Sequence, residues 1–123
     1  MKHVIGALSM LTFILIACFG FTQIIKNTAE ETHSLIHQAY EAKEPGIVIT
    51  LVEEAVQFWS SKERLLGCVL PHDEVDEVGD SLEMMKAYAM QHEWDEFYGI
   101  CAELLATLSH MQEKEQPLLQ NIM

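Results

Sequence analysis

The first apolar pattern along the chain is unbroken rather than periodic. From Val4 to Ile25 the sequence reads VIGALSMLTFILIACFGFTQII, twenty-two residues without a charge, with Lys2 and His3 before it and Lys26 after it. As a helix rising about 1.5 Å per residue this run is roughly 33 Å long, enough to cross a hydrocarbon core about 30 Å thick. Gly6 and Gly20 fit that reading, because glycine is commoner in membrane helices than in soluble ones. Beyond Ile25 the pattern becomes periodic. No Gly or Pro interrupts the chain until Pro45-Gly46, so the same helix is expected to continue to about Ala42, with Ile25, Thr28, Thr32, Leu35, Ile36, Ala39 and Tyr40 on one stripe. Pro45-Gly46 reads as the turn that ends it.

Three further helices follow. The second is expected from about Ile47 to Leu66, with Val48, Leu51, Val52, Ala55, Phe58, Trp59 and Leu66 on its apolar face. The run Ile47-Val48-Ile49-Thr50 has the composition of a strand, yet it leads straight into a helical period and the chain offers it no partner strand. Gly67 stops this helix, and Cys68-Val69-Leu70-Pro71 is an apolar connector. The third helix starts at His72 or Asp73 and ends near Gln91; Val75, Val78, Leu82, Met85 and Ala89 recur at steps of three and four, the seam spacing of an antiparallel bundle. Gly79, which lowers helix propensity by about 1 kcal/mol relative to Ala, is read as room for a neighbouring helix. The fourth helix runs from Glu93 to about Glu115 on Trp94, Phe97, Cys101, Leu104, Leu108 and Met111; Pro117 closes it, and Leu118, Leu119, Ile122 and Met123 form a tail folding back on the bundle. The expected fold class is therefore all-α: an N-terminal transmembrane helix (residues 1–26 as anchor) continuing into an antiparallel four-helix bundle (residues 27–123).

Three fates compete for the apolar segment. A cleaved signal peptide has an apolar region of about 7–15 residues followed by a small-x-small site; this run is longer and no Ala-x-Ala site follows it. Leu15-Ile16-Ala17-Cys18 resembles a lipobox, in which Cys18 would be lipidated, but Phe19 to Ile25 stays apolar where lipoproteins turn polar. A retained signal-anchor is the favoured reading, with Cys18 as a small apolar residue of a membrane helix. Basic residues near the two ends are nearly balanced, Lys2 and the amino terminus against Lys26, and the preferred topology has the N-terminus inside and the domain extracytoplasmic.

Charge narrows the partners. Residues 27–123 hold five bases against nineteen acids, a net charge of −14. Such a domain repels phosphate backbones, which argues against nucleic acid, and its field attracts cationic partners. The expected partners are the lipid bilayer and another membrane or cell-envelope protein. Of the three cysteines, Cys68 falls in the connector and Cys101 inside the fourth helix, about 12 Å from its start; a disulfide needs Cα atoms within about 7 Å, so both are expected as free thiols.

Chemistry is sought in three places. His33 and His37 share a helix face, and Glu30-x-x-His33 has the spacing of half a di-iron carboxylate motif. The second half is missing, no Cys pair has zinc spacing, and His-Glu-x-x-His does not occur. His72-Asp73-Glu74-Val75-Asp76 is the densest polar cluster. It could chelate a cation or meet a basic partner through His72, Asp73, Glu74 and Asp76, although acids at a helix start are ordinarily explained by the helix dipole. No Gly-x-Ser-x-Gly elbow, phosphate-cradling glycine loop or nucleophile–base motif is present. No cofactor and no catalytic residue is expected.

A family resemblance adds to this. His72-Asp73-Glu74-Val75-Asp76, Ser81-Leu82, Tyr88, Glu103-Leu104, Leu108-Ser109-His110-Met111, Glu113 and the closing Asn121-Ile122-Met123, with Trp59 ahead, resemble an uncharacterised family called domain of unknown function 4363. The resemblance covers nearly the whole chain. It implies a small protein from a Gram-positive bacterium, with one N-terminal membrane segment and a helical domain, and it implies no activity. Members often carry a second aromatic between the Trp and the His; Leu65 to Leu70 supplies none. The functional expectation is a non-enzymatic interaction or scaffold subunit at the cell surface. The alternative is an extracytoplasmic ligand or metal-cation sensor using His33, His37, His72 and nearby acids.

Overall fold

The computed structural model describes the backbone of residues 1–122 and the side chains of residues 1–111. Four helices account for nearly all of it: α1 (Lys2–Glu41), α2 (Pro45–Leu66), α3 (His72–Met90) and α4 (Trp94–Ile122). Among the described residues there is no strand, and the β-branched run at Ile47–Thr50 is helical. Helix α1 packs on α2 and α4, and α3 packs on the same two, while among the described residues neither diagonal pair is in contact. Short connectors between successive helices make this an up-down-up-down square. The all-α bundle with a long apolar first helix is thus the observed fold.

The seam pattern becomes the core with few changes. All five expected α3 positions, Val75, Val78, Leu82, Met85 and Ala89, are buried, as are Val48, Val52, Ala55, Trp59 and Leu66 of α2 and Phe97, Cys101, Leu104, Leu108 and Met111 of α4. Leu51, Phe58 and Trp94 lie at the rim, half-buried. On α1 the core takes Ala29 in addition to the expected stripe, while Tyr40 at its edge stays 45 % exposed and meets Tyr98 of α4 edge-on at 5.3 Å. Thr28 and Thr32 are buried among these apolar residues, and the Thr32 hydroxyl has no hydrogen-bond partner.

Trp59 ties α2 to α3. It is 1 % exposed, and its indole N–H donates to the Val75 carbonyl at 3.2 Å. A Cβ built on Gly79 would lie 3.7 Å from the Trp59 ring, so this glycine faces the indole across the helix pair.

The helix ends correct two details, at Pro45 and Pro117, and add one at His92. Pro45 opens α2 at its first turn rather than forming a turn outside it, a position where its missing N–H is no loss. Its ring holds the preceding Glu44 extended (φ −93°, ψ 125°). At the other end of the bundle, α3 closes on a Schellman arrangement: His92 N–H donates to Ala89 O at 3.2 Å, Glu93 N–H donates to Tyr88 O at 2.9 Å, and His92 itself takes φ 59°. Finally, α4 runs through Pro117 to Ile122. A proline removes one helical hydrogen bond and need not end the helix when the turns on both sides continue. The expected packing of the tail side chains from Leu118 onward lies outside the described residues.

The core does not begin where the uncharged segment ends. Ile25 is buried and Phe21 to Ile24 are half-buried, whereas Val4 to Gly20 is exposed apart from half-buried Ala17. Helix α1 is thus an apolar rod for its first half and a bundle helix for its second, without a break between them. By length and composition, it is the one described helix able to cross a membrane.

Candidate functional site

Two features stand apart from the packed core, the exposed rod and the acidic outer faces of the bundle. On the rod, Val4, Ile5, Leu8, Met10, Leu11, Phe13, Ile14, Leu15, Ile16 and Phe19 are all more than half exposed, Phe13 to 74 %. Apolar side chains are exposed around its whole circumference, so no one-sided contact with the chain's own bundle accounts for it. Thr12 and Thr22 hydroxyls donate to the Leu8 and Cys18 carbonyls at 2.8 and 2.9 Å, so these polar groups are satisfied within the helix. Cys18 lies exposed on the same helix.

The acidic face is built by helix spacing. Asp76, Asp80 and Glu83 follow at four and three on α3 and meet Glu63 and Ser60 of α2 around a cleft of about 330 Å³, floored by Trp59 and Gly79. Four carboxylates at one opening attract cationic groups. A second cleft, of about 270 Å³, lies between α3 and α4, lined by Glu74, Glu77, Thr107, His110 and Met111.

The expected polar cluster is divided by this arrangement. His72 sits at the start of α3 with its ring against Gly67, Asp73 is exposed in the first turn, Glu74 faces the α3–α4 cleft, and Asp76 joins the α2–α3 cleft. Successive residues on a helix point about 100° apart, so a run dense in sequence is distributed around the cylinder. Glu63, Asp80 and Glu83 were not singled out from the sequence. The Asp76, Asp80, Glu83 spacing carried the signal, but the contribution of Glu63 needs the α2–α3 pairing.

The histidines of the sensor reading lie on different helices. His33 and His37 stack on α1 with ring centroids 6.3 Å apart, and His37 Nε2 is 3.6 Å from the Glu41 carboxylate, both exposed. His72 is on α3, which does not touch α1. Among the described residues no three His, Cys, Asp or Glu side chains are grouped to hold a metal ion. Cys68 is exposed at the α2–α3 connector, its thiol donating to the Arg64 carbonyl at 3.5 Å, and Cys101 is buried inside α4. Burial in apolar surroundings pushes the Cys101 thiol up from 9.0 to about 12, which keeps it protonated and unreactive at neutral pH.

No curated protein and no solved structure matches the chain. A family model does, over residues 20–122, from the last residue of the exposed rod through the bundle. On that match the chain belongs to the family described as Domain of unknown function (DUF4363).

Proposed function

We propose that this chain is a single-pass membrane protein whose bundle acts without catalysis, as an interaction or scaffold subunit held at the bacterial cell surface. The observation that carries the reading is the exposed apolar rod from Val4 to Gly20, continuous with a helix of an acidic bundle. Water solvates such a rod poorly and a bilayer solvates it well. The unbroken helix through Ala17 and Cys18 into the core at Ile25 supports a retained anchor over cleavage or lipidation at Cys18. The N-terminus lies inside and the bundle outside the membrane, in keeping with the Gram-positive source that the family resemblance implies.

The bundle's partner is another membrane or envelope protein presenting basic side chains, and the α2–α3 cleft with Glu63, Asp76, Asp80 and Glu83 is the surface suited to receive them. A pull-down of full-length protein from detergent extracts at native expression tests this. A partner recovered with the wild type and lost from Asp76→Lys/Asp80→Lys supports the reading. Recovery of the protein alone, or equal recovery with the variant, refutes the cleft's role. Alkaline carbonate extraction of membranes tests the anchor separately: protein released to the supernatant is not integral.

A further inference from the structure

We infer that the α2–α3 connector, with Leu65, Cys68 and Val69 outward, is a second membrane contact that dips into the headgroup boundary beside the anchor. The inference rests on the anchored reading above and deepens it.

Its first support is a length mismatch. Twenty-two uncharged residues would span the hydrocarbon core, but Ile25 is buried in the bundle's core and Phe21 to Ile24 before it are half-buried. The free rod, Val4 to Gly20, is about 26 Å long, several ångströms short of a core about 30 Å thick. A short span is accommodated by thinning the bilayer locally, by snorkelling of flanking residues or by oligomerising. Thinning and snorkelling both bring the membrane-facing end of the bundle close to the lipid, where its surface chemistry matters.

Its second support is which part of the fold occupies that end. Helix α2 runs antiparallel to α1 from a connector at Ala42–Glu44. From Pro45 to Leu66 it covers about 32 Å, which brings Leu66 back level with Gly20, where the free rod begins. The connector Gly67–Pro71 therefore lies at the end of the bundle beside the rod. There Leu65 is 41 % and Val69 44 % exposed, Cys68 is exposed, and Leu70 is half-buried. No charged residue occurs from Leu65 to Pro71. The opposite connector at Ala42–Glu44 carries Lys43 and Glu44, and the one at Gln91–Glu93 carries His92 and Glu93.

Its third support is charge. The whole of residues 27–123 is strongly acidic and repels anionic headgroups. The connector with its flanking turns is close to neutral: residues 62–74 hold two bases (Lys62, Arg64) and three acids (Glu63, Asp73, Glu74), against a net −14 over residues 27–123. A connector carrying so little of the bundle's negative charge meets less repulsion from phosphate headgroups than the acidic faces do.

Cys68 makes the test direct, because its thiol is exposed while that of Cys101 is buried. Full-length Cys18→Ser protein is labelled at Cys68 with an environment-sensitive fluorophore and reconstituted in phosphatidylcholine–phosphatidylglycerol vesicles containing lipids spin-labelled near the headgroup. The reference is the same probe at Gln91→Cys, on the far connector, in a Cys18→Ser/Cys68→Ser background. Contact predicts a blue-shifted Cys68 probe quenched several-fold more than the reference, and loss of that excess in a Leu65→Asp/Val69→Asp variant of unchanged helicity. A Cys68 probe as water-like as the reference, on protein that co-floats with the vesicles, overturns the contact and leaves the anchor standing. Protein that does not co-float at all overturns the anchor and the contact together.

Discussion

Gly79 offers a sharp check on the packing of α2 against α3. It lies in the middle of α3, where glycine lowers helix stability by about 0.8–1.0 kcal/mol relative to alanine. A Cβ there would come within 2.8 Å of Glu63 Oε1, and within an ordinary 3.7 Å of Trp59 Cδ1 and Nε1. The close obstacle is the tip of a flexible side chain beside an open cleft, so rotating it away costs about 0.5 kcal/mol or less. Gly79→Ala is therefore expected to stabilise the bundle by roughly 0.3–1 kcal/mol, which for a domain of about a hundred residues raises Tm by about 1–8 °C. Urea and thermal unfolding of the full-length protein in mild detergent, followed by circular dichroism, measures it. A double-mutant cycle with Glu63→Ala isolates the carboxylate's share, expected at no more than about 0.5 kcal/mol. If Gly79→Ala destabilises the protein, and removing the Glu63 side chain does not restore it, the methyl is colliding with Trp59. The glycine would then be required by helix approach, and the argument from propensity would be wrong.

Three other expectations follow from the core. Thr32→Val removes a buried hydroxyl without a partner and should stabilise by about 1 kcal/mol in the same unfolding assay; a loss instead would mean the hydroxyl holds a buried water. Trp59→Phe forfeits the hydrogen bond to the Val75 carbonyl and part of a fully buried side chain, and should lower stability by about 1–3 kcal/mol; a change within 0.5 kcal/mol, about the noise of a surface substitution, would mean the indole is not the tie between α2 and α3. For Cys101, the folded thiol keeps its proton up to about 12 while the unfolded thiol loses it near 9.0. Its contribution to stability is thus complete below pH 9.0 and is lost as pH rises toward about 12. The urea midpoint of wild type should fall more steeply over that window than that of Cys101→Ala, and a thiol reagent at pH 8 (below the ordinary thiol value) should modify Cys68 and spare Cys101. Parallel declines, or modification of native Cys101, would contradict the burial argument.

The sequence alone determined the helices and most of the core, because burial here follows a period that can be counted. Val75, Val78, Leu82, Met85 and Ala89 are an uninterrupted three-four repeat, and all are buried. The apolar run of α1 was equally legible as a long helix, since twenty-two uncharged residues without a proline leave the helical period unbroken. What the period could not supply was anything depending on a second helix. That Ile25 belongs to the core as well as to the uncharged run, with Phe21 to Ile24 half-buried before it, is decided by what packs beside them. The acidic cleft is likewise formed only when Glu63 of α2 is brought opposite Asp76, Asp80 and Glu83 of α3. Local signals misled where one residue type serves two geometries: Pro45 opens a helix, Pro117 lies within one, and the helix-ending left-handed position falls to His92, where no glycine marked it. A one-dimensional pattern specifies which way a side chain faces on its own helix; the tertiary structure decides what it faces, because only packing sets the register between helices.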